Sequence, residues 1–166
     1  MADYRWVEGE VPEGMKITQV YGILLDREGR VMLRVVNTPR GVIYSLPGGR
    51  PEPFDHGIED TCRREVTEEV NTEIEKPVYI GYQLVDEKNG KPPYAQVRMA
   101  ALIKKIGEVR PDPDNGKTYG RYMVTPERAA ELLRWGSVGY DQVMKAKKTV
   151  YAQYGISGAD SQELFV

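Results

Sequence analysis

Glu65, Glu68 and Glu69 are the residues of this chain whose types and spacing point most directly to chemistry. At i, i+3 and i+4, a helix sets all three carboxylates on one side. Like charges placed this way repel by roughly 0.2–0.5 kcal/mol per pair. Arg63 and Arg64 relieve part of that repulsion. A divalent cation relieves far more, because clustered carboxylate oxygens are the donors that hard Mg²⁺ or Mn²⁺ prefers. A plain solvated acidic face would carry the same charges, so the neighbouring residues must decide between the two readings.

Those neighbours favour a site. Ile58, Cys62, Val66 and Val70 recur every fourth residue and form an apolar stripe along the same helix. At ~100° per residue, the mean direction of the acids lies roughly 90° from the centre of that stripe. The stripe can therefore pack on a sheet while the carboxylates line the edge of a cleft. Upstream, Pro47, Gly48 and Gly49 end a short strand, and glycines there let the backbone approach a ligand closely.

The elements that must position this helix read as follows. Strands are expected over 17–25, 31–36, 43–46, 78–85, 94–103 and 121–124, with loops over 49–57 and 107–120. Helices are expected over 58–70, 126–133 and 140–154, the second opened by Thr125 as N-cap and Pro126 at the first helical position. The polar tail after Gly155 is expected to fray. This order implies an α/β (α+β) fold, a mixed sheet with helices packed against it.

Composition bounds the rest. The chain has 166 residues, 40% hydrophobic and 29% charged, with a net charge of −2. One domain of this size buries roughly 68–70% of its unfolded surface. The reading is a single domain over 1–166, its first ~14 and last ~11 residues being extensions. The charge balance offers no broad positive field for a nucleic-acid backbone. With His56 and Cys62 the only residues of their types, a zinc site of His and Cys ligands is excluded, as is an intrachain disulfide. Cys62 lies on the apolar stripe and reads as core. The first residues lack a basic head with an apolar run, and no apolar run approaches the ~18 residues that span a bilayer. A cytoplasmic protein without a membrane partner is the expectation.

The stretch Gly48 to Thr72, GGRPEPFDHGIEDTCRREVTEEVNT, resembles the signature of the Nudix hydrolases. Gly49 matches its opening glycine, Arg64 and Glu65 its Arg-Glu pair, Val66 its aliphatic position, and Glu68 and Glu69 its closing acids. Leu46-Pro47-Gly48 ahead of it is also typical. Three positions depart. Asp55 stands where the family has Glu, with eight residues rather than seven between it and Arg64. Asn71 replaces the closing glycine, a mild change because asparagine is the next best residue for a left-handed helix end. Thr72 replaces the last aliphatic residue.

The resemblance implies a Nudix-type α/β/α sandwich. It implies that Glu65, Glu68 and Glu69, with the Gly49 carbonyl, hold Mg²⁺ (or Mn²⁺), and that Arg64, Glu65 and Glu68 are catalytic. Water would attack a pyrophosphate in a nucleoside diphosphate linked to another group. The general base is left open between a box glutamate and a loop acid such as Asp112 or Asp114. Asp55 either pairs with Arg64 or caps the helix. Candidate substrate contacts are Arg34, Arg40, Glu52, Arg98 and Tyr119. Trp135 reads as a packing residue, and His56 as a loop residue without a catalytic role. The partner is a small nucleotide-type molecule, and a homodimer stays open. The rival readings are a nucleotide or nucleotide-sugar sensor without turnover, and an RNA cap-processing or RNA-binding protein of the same fold. The acid trio disfavours the first, and the net charge disfavours the second.

Overall fold

A computed structural model describes residues 1–166. Its strands are β1 (Asp3–Val7), β2 (Ile17–Leu25), β3 (Val31–Thr38), β4 (Gly41–Ser45), β5 (Gly48–Gly49), β6 (Thr72–Ile74), β7 (Val78–Asp86), β8 (Tyr94–Ile106), β9 (Gly120–Val124) and β10 (Leu164–Phe165). Its helices are α1 (Ile58–Val70), α2 (Pro126–Leu133) and α3 (Gly136–Tyr154). The strands run in the order β1-β7-β8-β2-β3-β9-β10, with β4 on β3, β5 on β2 and β6 on β8. The β2–β8 pair is parallel and its neighbours are antiparallel, so the sheet is mixed as expected.

Period-two alternation along β2 and β3 sends successive side chains to opposite faces. Ile23, Leu25, Val31 and Leu33 join one buried cluster with α2 and α3. Val20, Leu24 and Met32 join a second with Cys62, Val66 and Val70 of α1. Helices thus cover both faces, which gives the α/β/α layering. Gly22 lets α1 come close: a Cβ there would stand 3.3 Å from Cys62 Sγ and 3.4 Å from Val66 Cγ2. Burial pushes the Cys62 thiol up to about 12. Because the thiolate is the reactive form, Cys62 should resist thiol reagents in native buffer and react only on unfolding. Rapid labelling of the native protein would contradict this packing.

The two N-terminal helix signals act differently. Thr125 caps α2 as expected, its side chain accepting from the Arg128 N–H with Pro126 in the first turn. At α1 the N-cap is Gly57, with no side-chain cap hydrogen bond. Helix α3 starts at Gly136, one turn before the expected 140.

Residues 155–166 do not fray. Asp160 N–H donates to the Glu28 carbonyl, Arg30 donates to the Gln162 carbonyl, and β10 pairs with β9. Phe165 packs on Tyr122 with ring centroids 4.4 Å apart. Near the other end of the chain, β1 pairs antiparallel with β7 and forms an edge of the sheet. No helix is long and apolar enough to cross a membrane.

Candidate functional site

Strand β5 and the first face of α1 build the site together. Glu69 is 7% exposed and its Oε1 accepts the Gly48 N–H at 2.8 Å, fastening the helix to the glycine turn. Gly49 leaves room for Glu65: a Cβ on Gly49 would fall 2.5 Å from the Glu65 carboxylate. Any side chain there would displace that acid.

Arg64 is the hub of the cluster. Its Nε and Nη2 grip both oxygens of Asp55 at 3.0 and 2.9 Å, a forked pair of the kind that fixes orientation. Its Nη1 donates to Glu65 at 2.9 Å and to Glu68 at 3.2 Å, and Nη2 reaches the Arg50 carbonyl. Asp55 therefore pairs with Arg64 and does not cap the helix. A turn and bends between Pro53 and Gly57 bring Asp55 back to Arg64 despite the longer spacer. Asp55 also accepts from Thr61 Oγ1 at 2.8 Å and from the Glu52 N–H at 3.0 Å. The Arg64 guanidinium holds its carboxyl well below the usual carboxylate range.

The three glutamates shift the other way. Burial raises Glu65, Glu68 and Glu69, each against the opposing pull of an arginine. Glu69 is pushed up to about 7, with Arg34 and the Gly48 N–H lowering it and Glu65 and Asp112 raising it. Asp112 raises all three. It comes from the 107–119 loop, is 3% exposed, and accepts the Asp114 N–H at 2.8 Å. That loop is anchored beside the helix end. Asn71, the C-cap of α1 at φ 44°, donates from Nδ2 to the Glu108 carbonyl at 2.8 Å and accepts the Gly107 N–H.

The candidate substrate contacts divide. Arg34 pairs with Glu69, and its guanidinium centre lies 4.6 Å from the Tyr119 ring centroid. Those two and the box are brought together. Arg98 is buried in a separate cavity wall, which Arg34 also lines. Arg40 sits exposed in the β3–β4 turn, where only its backbone N–H makes a hydrogen bond, to Thr38. Glu52 meets the cluster through its backbone alone. His56 is exposed, and Asp60 accepts its backbone N–H. Beyond packing, Trp135 lies 5.3 Å from the Arg98 guanidinium. The sequence reading passed over Gln83, Gln96 and Gln142, which surround Arg98. The signal for them is amide side chains at inward positions of strands and a helix, where apolar residues are the norm.

For a cation the fit is chemical. No group of three His, Cys, Asp or Glu side chains converges as a ready-made ligand set. The carboxylates are instead turned to guanidiniums, Glu69 to Arg34 and Glu65 and Glu68 to Arg64. The donors are all oxygens, the cradle at Gly49 is one that a Cβ would fill, and the negative charge exceeds what the two arginines offset. That donor set suits Mg²⁺ or Mn²⁺ once the guanidiniums yield.

Comparisons with known proteins bear on the whole arrangement. The fold is similar to that of the Bacillus subtilis pyrophosphohydrolase BsRppH, at 20% identity and a TM-score of 0.65, covering 93% of each chain. It is also similar to a NUDIX hydrolase from Nitrosomonas europaea, at 18% identity and a TM-score of 0.55, over 87% of this chain and 93% of that one. The C. elegans Ap4A hydrolase matches at 16% identity and a TM-score of 0.55, over 82% and 99%. No curated protein sequence matches. The family model described as NUDIX domain matches residues 15–146, a span that contains both the acid helix and the loop of Asp112. The chain belongs to the Nudix hydrolase family.

Proposed function

We propose that this chain is a divalent-metal-dependent hydrolase that cleaves the pyrophosphate of a nucleoside diphosphate linked to a second group. The observation that supports this reading best is the Gly49–Glu65 apposition, beside Glu68 and Glu69 on the same face of α1. Glu65, Glu68 and Glu69, with the Gly49 carbonyl, would hold Mg²⁺ or Mn²⁺, which supplies charge neutralisation at the pyrophosphate and an activated water.

The chain's own residues have separable tasks. Arg64 orients Glu65 and Glu68 and is itself fixed by Asp55. Arg34 stands between Glu69 and the cavity, so it is placed to meet a phosphate oxygen when it leaves Glu69. Asp112, a buried acid of the 107–119 loop whose charge acts on all three glutamates, is the loop residue we put forward as proton acceptor. A pure sensor would gain nothing from three clustered acids whose charged forms are all disfavoured by burial and by neighbouring carboxylates.

The test is a screen of nucleotide sugars, ADP-ribose, dinucleoside polyphosphates and nucleoside triphosphates, with phosphorus products followed with and without Mg²⁺. Metal-dependent release of a monophosphate is expected from at least one nucleoside diphosphate derivative. Tight binding with no product would favour the sensor.

A further inference from the structure

Arg98 is a buried cation without a counter-ion. It is 1% exposed, held in β8 opposite Tyr21 of β2. Its guanidinium centre lies 4.7 Å from the Tyr21 ring centroid and 5.3 Å from that of Trp135. Nε donates to Gln142 Oε1 at 2.7 Å, and Nη1 donates to the Gln96 carbonyl at 3.3 Å. Both acceptors are neutral. Gln142 in turn donates to Gln83, Gln83 to Gln96, and Gln96 to Gln19, so the network behind Arg98 contains amides and no carboxylate. Burial draws the arginine down to about 10.

Nη2 makes no hydrogen bond within the protein. No fully buried side-chain nitrogen or oxygen lacks a partner, so this nitrogen keeps some solvent access, and Arg98 lines a cavity of about 700 Å³. That volume suits a nucleotide-sized ligand. Arg34 and Arg134 line the same space, and its only lining acid, Asp3, is paired with Lys88 at 3.0 Å. A desolvated charge costs a great deal unless something neutralises it. The free N–H groups of a guanidinium nitrogen give charge-assisted hydrogen bonds to the oxygens of a carboxylate or phosphate, in directions that its planar group fixes.

We infer that the cavity takes a second anionic group of the substrate, a phosphate monoester or a carboxylate distinct from the pyrophosphate, and that Arg98 selects for it. This rests on the pyrophosphatase reading above and narrows it to nucleoside diphosphate derivatives charged on the linked moiety or the nucleoside. Arg34 belongs to both, lining the cavity and pairing with Glu69 of the box, so it links the two subsites.

Two matched pairs of compounds test this by calorimetric titration in Ca²⁺, an oxygen-seeking divalent cation. NADP⁺ against NAD⁺ differs by a phosphate monoester, and UDP-glucuronate against UDP-glucose by a carboxylate. The wild type should bind the charged member of at least one pair about tenfold or more tightly, the scale of a charge-assisted hydrogen bond. Which pair responds identifies the group. Arg98→Gln should bring that ratio to within about twofold, and Arg98→Lys, which keeps the charge but cannot both hold Gln142 and Gln96 and aim an N–H into the cavity, should lower it at least about threefold. If Arg98→Gln does not fold, the Lys variant and the wild-type ratio decide. Equal binding within both pairs, a preference that survives in the variants, or no binding of either charged member would overturn the inference. Mg²⁺-dependent hydrolysis without anion preference sinks this inference alone. Anion-selective binding without hydrolysis of any compound sinks the activity alone.

Discussion

Glu69→Gln should lower kcat/KM by roughly two to four orders of magnitude while leaving the protein folded, the scale of losing a group that acts on the reacting centre. The fold tolerates the change for a specific reason. Glutamine keeps an oxygen to accept the Gly48 N–H, and the bond it gives up, from Arg34, frees a guanidinium that lines the open cavity and can turn to solvent there. The native environment already disfavours the Glu69 charge, which titrates near 7. Urea unfolding at pH 7 should therefore place the variant within about 1 kcal/mol of the wild type. Wild-type turnover with Mg²⁺ would show that Glu69 only packs. A collapse in stability would show that the carboxylate is needed for the fold.

Arg64→Met should have the largest effect on stability. It removes the fork on Asp55, whose side chain is 5% exposed, and both bonds to Glu65 and Glu68. Stranding one partner of a buried pair is costly; with Arg64 19% exposed, a discounted figure of about 2–3 kcal/mol at pH 7 is expected. The pH dependence carries the sign. Asp55 is depressed in the folded state, so its contribution is full above its unfolded value of about 3.9 and fades as pH falls toward the native value. The gap between wild type and variant should thus narrow below about pH 4. Urea melts at pH 7 and pH 3 check this, and an equal gap at both would assign the loss to packing of the Arg64 stem.

Much of α1 was legible because its information is local. Ile58, Cys62, Val66 and Val70 repeat with the helical period, and the structure buries the last three against β2. The cap at Thr125 with Pro126 is equally local. What escaped depends on partners distant in sequence. β6 and β10 are three and two residues long and exist only because β8 and β9 offer them free backbone groups. β1 carries no clean alternation and is specified by its register on β7. The same limit applies at the site. The glutamates could be placed on one face from spacing alone, but not the Arg34 that meets Glu69 across 35 positions, nor the glutamine chain behind Arg98.

Asn71 gives one departure from the family signature a mechanical meaning. A glycine would satisfy the left-handed turn that ends α1 but could not reach the Glu108 carbonyl. By holding the root of the segment that carries Asp112, the amide ties the geometry of the distant acid to the end of the helix bearing the glutamates. The loop of Asp112 and the helix of the glutamates thus share one anchor at position 71, where a glycine would leave only the backbone bond from Gly107.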